Sequence, residues 1–171
     1  MPGEPRDPNP AGVIAGDAPP FAGSIGRTMA WLTREYTTGL AQVDLSPTQY
    51  RMLILLSRGD AGSSALAAYL AVSPPSVTSV VDVLVSRGLV DRVHDKGDRR
   101  RISLGLTEEG TRLLALADEV ADAVMVDIAQ NSGDPDKTDR LLSNFELWGD
   151  ALAERRRMKQ EAKARAASTD G

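Results

Sequence analysis

One change of hydrophobic period constrains this chain more than any other feature. Up to Leu84 the apolar residues recur every three or four positions; after Gly88 that period gives way to strand-like sequence, which alternates from Ile102 to Leu106. Leu89-Val90-Asp91-Arg92-Val93 has strand propensity, while Ile102, Leu104 and Leu106 alternate with Arg101, Ser103 and Gly105. Between them, Asp95-Lys96-Gly97-Asp98 is turn chemistry, so the pair predicts a hairpin with a polar, basic tip. Beyond Thr107 the helical period returns. A lone hairpin set among helices predicts a mainly α fold carrying a two-stranded β wing.

The helices have readable ends. Ile25, Met29, Leu32, Tyr36 and Leu40 predict a first helix of about five turns. Ser46-Pro47-Thr48-Gln49 starts a second. Serine caps, proline suits the first helical position, glutamine completes a capping box, and the helix runs through Tyr50, Leu53 and Leu56 to stop around Gly59. A short third helix covers roughly Ser64 to Ala71, followed by a tight Val72-Ser73 connection. Ser73-Pro74-Pro75 then opens a fourth helix, with Val77, Val80, Val81 and Leu84 inward and Gly88 as its stop. Thr107 caps a long fifth helix, whose Glu108 and Glu109 suit the positive dipole end. Its apolar stripe reads Leu113, Leu116, Val120, Val124 and Ile128, and Gly133-Asp134-Pro135 breaks it. The last helix lines up Leu141, Phe145, Trp148 and Leu152, a stripe that calls for a second subunit.

Composition removes several classes of function. No cysteine occurs among the 171 residues, which excludes a disulfide scaffold, a thiolate metal site and a thiol redox switch within the chain. A single histidine, His94, makes a histidine metal site or serine-histidine hydrolysis improbable, and His94 itself reads as an exposed wing residue. The best carboxylate pairs, Asp118 with Asp122 and Glu119 with Asp122, are helical neighbours with nothing to support catalysis, so no enzyme, metal or cofactor is expected. No apolar run approaches the ~20 residues of a membrane span, and Met1 to Pro10 lacks the features of a signal peptide. The expected location is the cytoplasm. Residues 1–20 hold six of the ten prolines and little apolar content, which predicts a disordered tail.

The net charge of −4 conceals segregation. Arg87 to Arg101 holds six basic residues against three acidic ones, Glu108 to Asp139 nine acidic against two basic, and Arg155 to Arg165 six basic against Glu161 alone. An anionic partner is therefore open to the basic stretches, while the acidic one reads as a solvated face.

Short helix, tight turn, amphipathic helix and basic hairpin form the order of a winged helix-turn-helix. The second helix of such a pair needs a small, polar outer face to enter the roughly 12 Å major groove. Ser73, Pro75, Ser76, Thr78, Ser79 and Asp82 supply one. The hairpin tip needs positive charge, and Asp98, Arg99, Arg100 and Arg101 place three arginines there.

In LSPTQYRMLILL (45–56), LAVSPPSVTSVVDVLVSRGLVDRV (70–93) and DRRRISLGLTEEG (98–110) the chain resembles the multiple antibiotic resistance regulator (MarR) family, over roughly Phe21 to Trp148. The last stretch matches that family's wing: Asp-x-Arg, an alternating strand, then Leu-Thr-x-x-Gly. The resemblance implies a homodimeric DNA-binding repressor of a palindromic operator, often released by small aromatic or phenolic ligands. It implies that Arg100 reaches the minor groove, held by Asp98, and that the helix from Ser73 to Arg87 reads the major groove. Many relatives carry arginine or lysine where this chain has Ser79. Trp31, Tyr36, Tyr50 and Met52 are candidates to line a ligand pocket between the first two helices and the winged domain, or else fill core or dimer interface. A winged helix turned to protein binding is the alternative, and it would not need the arginine wing.

The resulting organisation is a tail (1–20), a dimerisation helix (21–45), a winged helix-turn-helix (46–107), dimerisation helices (108–160) and a C-terminal tail (161–171).

Overall fold

The computed structural model describes residues 24–94 and 102–169. The tail expected over 1–20 and the wing tip, with Asp98, Arg99, Arg100 and Arg101, lie outside the described residues. Six helices and one hairpin follow in the order α1 (Ile25–Ala41), α2 (Pro47–Leu56), α3 (Ser63–Leu70), α4 (Pro74–Ser86), β1 (Val90–His94), β2 (Ile102–Leu106), α5 (Glu108–Gln130) and α6 (Pro135–Thr169).

The local chemistry that starts and stops these helices is satisfied in detail. Ser46 Oγ accepts from Gln49 N at 3.2 Å, and Gln49 Oε1 accepts from Ser46 N at 2.7 Å, a complete capping box. At the end of α4, Leu89 N donates to Leu84 O at 3.0 Å and Gly88 N to Val85 O at 2.9 Å. This is a Schellman closure, and Gly88 takes the φ of +68° that it requires.

The core gathers around α2. Leu40, Met52, Leu53, Leu66, Val77, Leu84, Val90 and Leu104 are almost wholly enclosed, so one apolar cluster joins α1 through β2. The hairpin is antiparallel, with Val90 opposite Leu106 and His94 opposite Ile102. A further bridge fixes the wing: Ala61 and Leu104 exchange N–H···O bonds of 3.1 and 2.9 Å, tying β2 to the α2–α3 loop.

Two expectations change. On α5, the face packed inside the chain is Gly110, Leu114, Ala117, Ala121 and Ala129, and Leu116 of the expected stripe is exposed. Small side chains let α1 and α2 approach closely, as Gly39 shows: a Cβ there would lie 2.7 Å from Val124 Cγ2. Helix α6 also runs unbroken to Thr169, through the segment expected to be a tail from 161. Residues 150–170 contain neither glycine nor proline, and Arg157 bonds both Glu154 and Glu161 along the helix.

Leu141, Phe145, Trp148 and Leu152 of α6 stay 44–63% exposed, and Ile25 and Met29 of α1 are exposed as well. No single helix among the described residues is long and apolar enough to cross a membrane.

Candidate nucleic-acid interface

The chain turns by 111° between α3 and α4, within the range of a helix-turn-helix. Only three residues make the turn. Ala71 ends α3 in the left-handed region (φ 54°, ψ 43°), Val72 follows, and Ser73 caps α4 with φ −68° and ψ 149°. Ser73 Oγ accepts from Ser76 N at 3.4 Å and lies 2.8 Å from Ser76 Oγ, while Pro74 and Pro75 occupy the first positions, where no N–H is needed. The sequence builds this corner from cap and proline chemistry alone.

Val77, Val81 and Leu84 hold α4 to the core, and the opposite face is bare. Ser73, Pro75, Ser76, Thr78 and Ser79 are all exposed on it. Thr78 Oγ1 donates to Pro74 O and Ser79 Oγ to Pro75 O, both at 3.2 Å, so each hydroxyl keeps free lone pairs toward solvent. Asp82 would leave a negative charge on this face, but Arg92 of β1 meets its carboxylate at 2.5 Å. That pair also joins wing to helix. Val83, 43% exposed, completes the outer surface, and the sequence reading missed it. Its signal was the spacing of four from Ser79; an exposed valine there can meet a thymine methyl.

The wing's root is equally well fixed. Thr107 N donates to Leu89 O (3.1 Å), Thr107 Oγ1 donates to Gly88 O (2.8 Å), and Gly110 N donates back to Thr107 Oγ1 (2.9 Å). A Cβ on Gly110 would stand 2.1 Å from Leu89 O. The Leu-Thr-x-x-Gly run is thus a fastening of α5 onto the end of α4.

The four pocket candidates separate. Met52 is fully enclosed in the core and presents no surface to a ligand. Tyr36 and Tyr50 form an edge-to-face pair with centroids 6.0 Å apart, and the Tyr50 hydroxyl donates to Asp118 of α5. Burial raises both phenols. Tyr36 is pushed up to about 12, with Arg51 pulling the other way, and in Tyr50 the bond to Asp118 adds to the effect of burial. Trp31 is half-buried on α1, with the Arg34 guanidinium 5.3 Å from its ring. The acidic residue singled out as a catalytic candidate, Asp118, is therefore engaged by a tyrosine.

Residues 43–101, from just after α1 to the residue before β2, match the model of the MarR family. Over that stretch the chain is similar to the MarR family. Two Bacillus subtilis proteins are similar to part of it: the uncharacterised HTH-type transcriptional regulator YhbI, 35% identical over 79 residues, and the HTH-type transcriptional repressor MdtR, 34% identical over 77. These matches cover 46% and 44% of this chain, and the chain spans about half the length of the curated relatives it matches, 51% and 50%. Among solved structures, the transcriptional repressor CouR bound to a 23-mer DNA duplex is 27% identical, with a TM-score of 0.58 over 72% of this chain and 88% of that one. CouR from Rhodococcus jostii RHA1 bound to p-coumaroyl-CoA gives 27% and 0.55, over 70% and 84%.

Proposed function

We propose that this chain is a transcriptional repressor of the MarR family that binds a palindromic operator as a homodimer in the cytoplasm, and that a small aromatic or phenolic effector releases it. The observation that carries the reading is the exposed hydroxyl face of α4, standing clear of the core beside a wing whose tip sequence holds three arginines. Small hydroxyls fit a major groove, and arginines suit phosphates or a minor groove. The DNA-bound state of CouR, a relative of the same fold, supports the reading, and its p-coumaroyl-CoA complex supports an aromatic effector.

A second copy of the chain accounts for the uncovered apolar residues of α1 and α6, a larger patch than a soluble monomer normally leaves open. Two α4 helices about one DNA turn apart, roughly 34–36 Å, would then demand a two-fold site. The experiment is selection of bound sequences from a random duplex pool, followed by anisotropy titration and sedimentation. An enriched palindrome bound by a dimer is expected. A stable monomer at micromolar concentration, or equal affinity for every duplex, would overturn the reading.

A further inference from the structure

A groove of about 190 Å³ lies between α2, α3 and the far half of α6. It is smaller than the roughly 300–1,000 Å³ of drug-sized sites, so its occupant must be compact. Ile54 and Leu55 of α2 give it an apolar wall, and Tyr69 of α3 adds an aromatic one. Three arginines line it: Arg51 on α2, Arg58 in the turn after α2, and Arg156 on α6. No carboxylate does.

The charges around this groove are poorly compensated. Arg51 makes one long bond, 3.5 Å from Nη2 to Leu70 O. Among the described residues neither Arg58 nor Arg156 meets a carboxylate. Arg156 stacks its guanidinium on Tyr69 instead, 5.1 Å from the ring centroid. The next residue on the same helix shows the contrast: Arg157, which does not line the groove, is held by Glu154 at 2.6 Å and Glu161 at 3.4 Å. The chain thus neutralises the arginine outside the groove and leaves the lining ones to repel each other. A guanidinium fork matches a carboxylate or phosphate oxygen pair, and stacking on Tyr69 holds one fork in place.

We propose that this groove binds a compact organic anion, a carboxylate or phosphate on a flat apolar body. The oxyanion sits between Arg58 and Arg156, and the body lies against Ile54, Leu55 and the Tyr69 ring. None of the lining residues belongs to α4 or the wing, so binding does not require DNA.

Calorimetric titration of the full chain without DNA tests this, using benzoate, phenyl phosphate, inorganic phosphate and benzyl alcohol. Benzoate and phenyl phosphate should bind saturably, one per chain, and the tighter of the two identifies the headgroup. Arg58→Gln and Arg156→Gln should each weaken the tighter ligand tenfold or more, whereas Arg155→Gln, with the same charge change on α6 outside the groove, should stay within twofold. All three side chains are exposed, and circular dichroism verifies that each variant folds. Benzyl alcohol binding as tightly as the anions, inorganic phosphate matching phenyl phosphate, or Arg155→Gln losing as much as the other two would overturn the proposal. So would the absence of saturable binding by either anion at millimolar concentration. A failure of DNA binding would leave these titrations untouched.

Discussion

Replacing Gly110 with alanine asks how firmly α5 is fastened to the turn between α4 and β1. The new Cβ would lie 2.1 Å from Leu89 O, 3.0 Å from Leu89 C and 2.8 Å from Leu106 Cδ1. The leucine side chain can rotate away. The Leu89 carbonyl cannot, because its oxygen already accepts from Thr107 N at 3.1 Å. Opening an ordinary contact means withdrawing the first turn of α5 by about 1 Å. That movement stretches the Thr107 N bond and the 2.8 Å bond from Thr107 Oγ1 to Gly88 O. Two such bonds contribute roughly 1 kcal/mol each, and overpacking adds about 1–3 kcal/mol. Alanine offsets about 1 kcal/mol of this through its better helix propensity. The net expectation is a loss of about 2–4 kcal/mol. Urea unfolding followed at 222 nm measures it, with Gly149→Ala as the control. A Cβ on Gly149 meets nothing within 4 Å, so that variant should be stabilised by up to about 1 kcal/mol. If Gly110→Ala proved as harmless as Gly149→Ala, the fastening would not exist.

Three other expectations rest on separate parts of the molecule. Because folded Tyr36 keeps its proton to about 12 while an unfolded tyrosine loses it near 10, the unfolded state binds fewer protons above pH 10, and stability should fall from there as pH rises. Tyr50→Phe should cost about 1 kcal/mol at neutral pH and flatten that alkaline decline, as unfolding curves between pH 8 and 11 would reveal; an unchanged slope would contradict the burial of Tyr50 and its bond to Asp118. Arg100→Ala should weaken operator binding by about 1–3 kcal/mol in anisotropy titrations, and equal losses at Arg99 and Arg101 would argue for a diffuse patch. Ser79→Arg should tighten operator and non-operator DNA alike and raise the salt slope by about one phosphate contact. If it abolished only operator binding in a salt titration, Ser79 would be reading a base.

The readable parts of this fold were those whose chemistry is local. Ser46, Ser73 and Thr107 each announce a helix start within four residues, and each caps as expected. Glycine 88 and the alternation beyond it mark the wing. The misreading of α5 has a physical origin: a search for large apolar residues finds Leu116, yet the buried face depends on Gly110, Ala117 and Ala121, whose value is their smallness. The Ala61–Leu104 bridge joins residues far apart in sequence, and nothing near Ala61 signals it. Met52 looked like a pocket residue because α2 buries more than one face, which a helical repeat alone does not disclose. The arginine groove was hidden for a similar reason. Arg51, Arg58 and Arg156 are unremarkable singly and meet only when α6 returns beside α3.

The Thr107 fastening makes α5 a lever. With its first turn bonded to Gly88 and Leu89, the helix has no hinge at the point where it leaves the wing. Its 23 residues span about 34 Å at 1.5 Å per residue. Tilting this rod by about 5° about its far end would sweep the fastened end, and α4 with it, through roughly 3 Å, most of the 3.4 Å that separates neighbouring base pairs on one strand. Small changes in how the far ends of these rods meet would therefore be geared up where α4 stands.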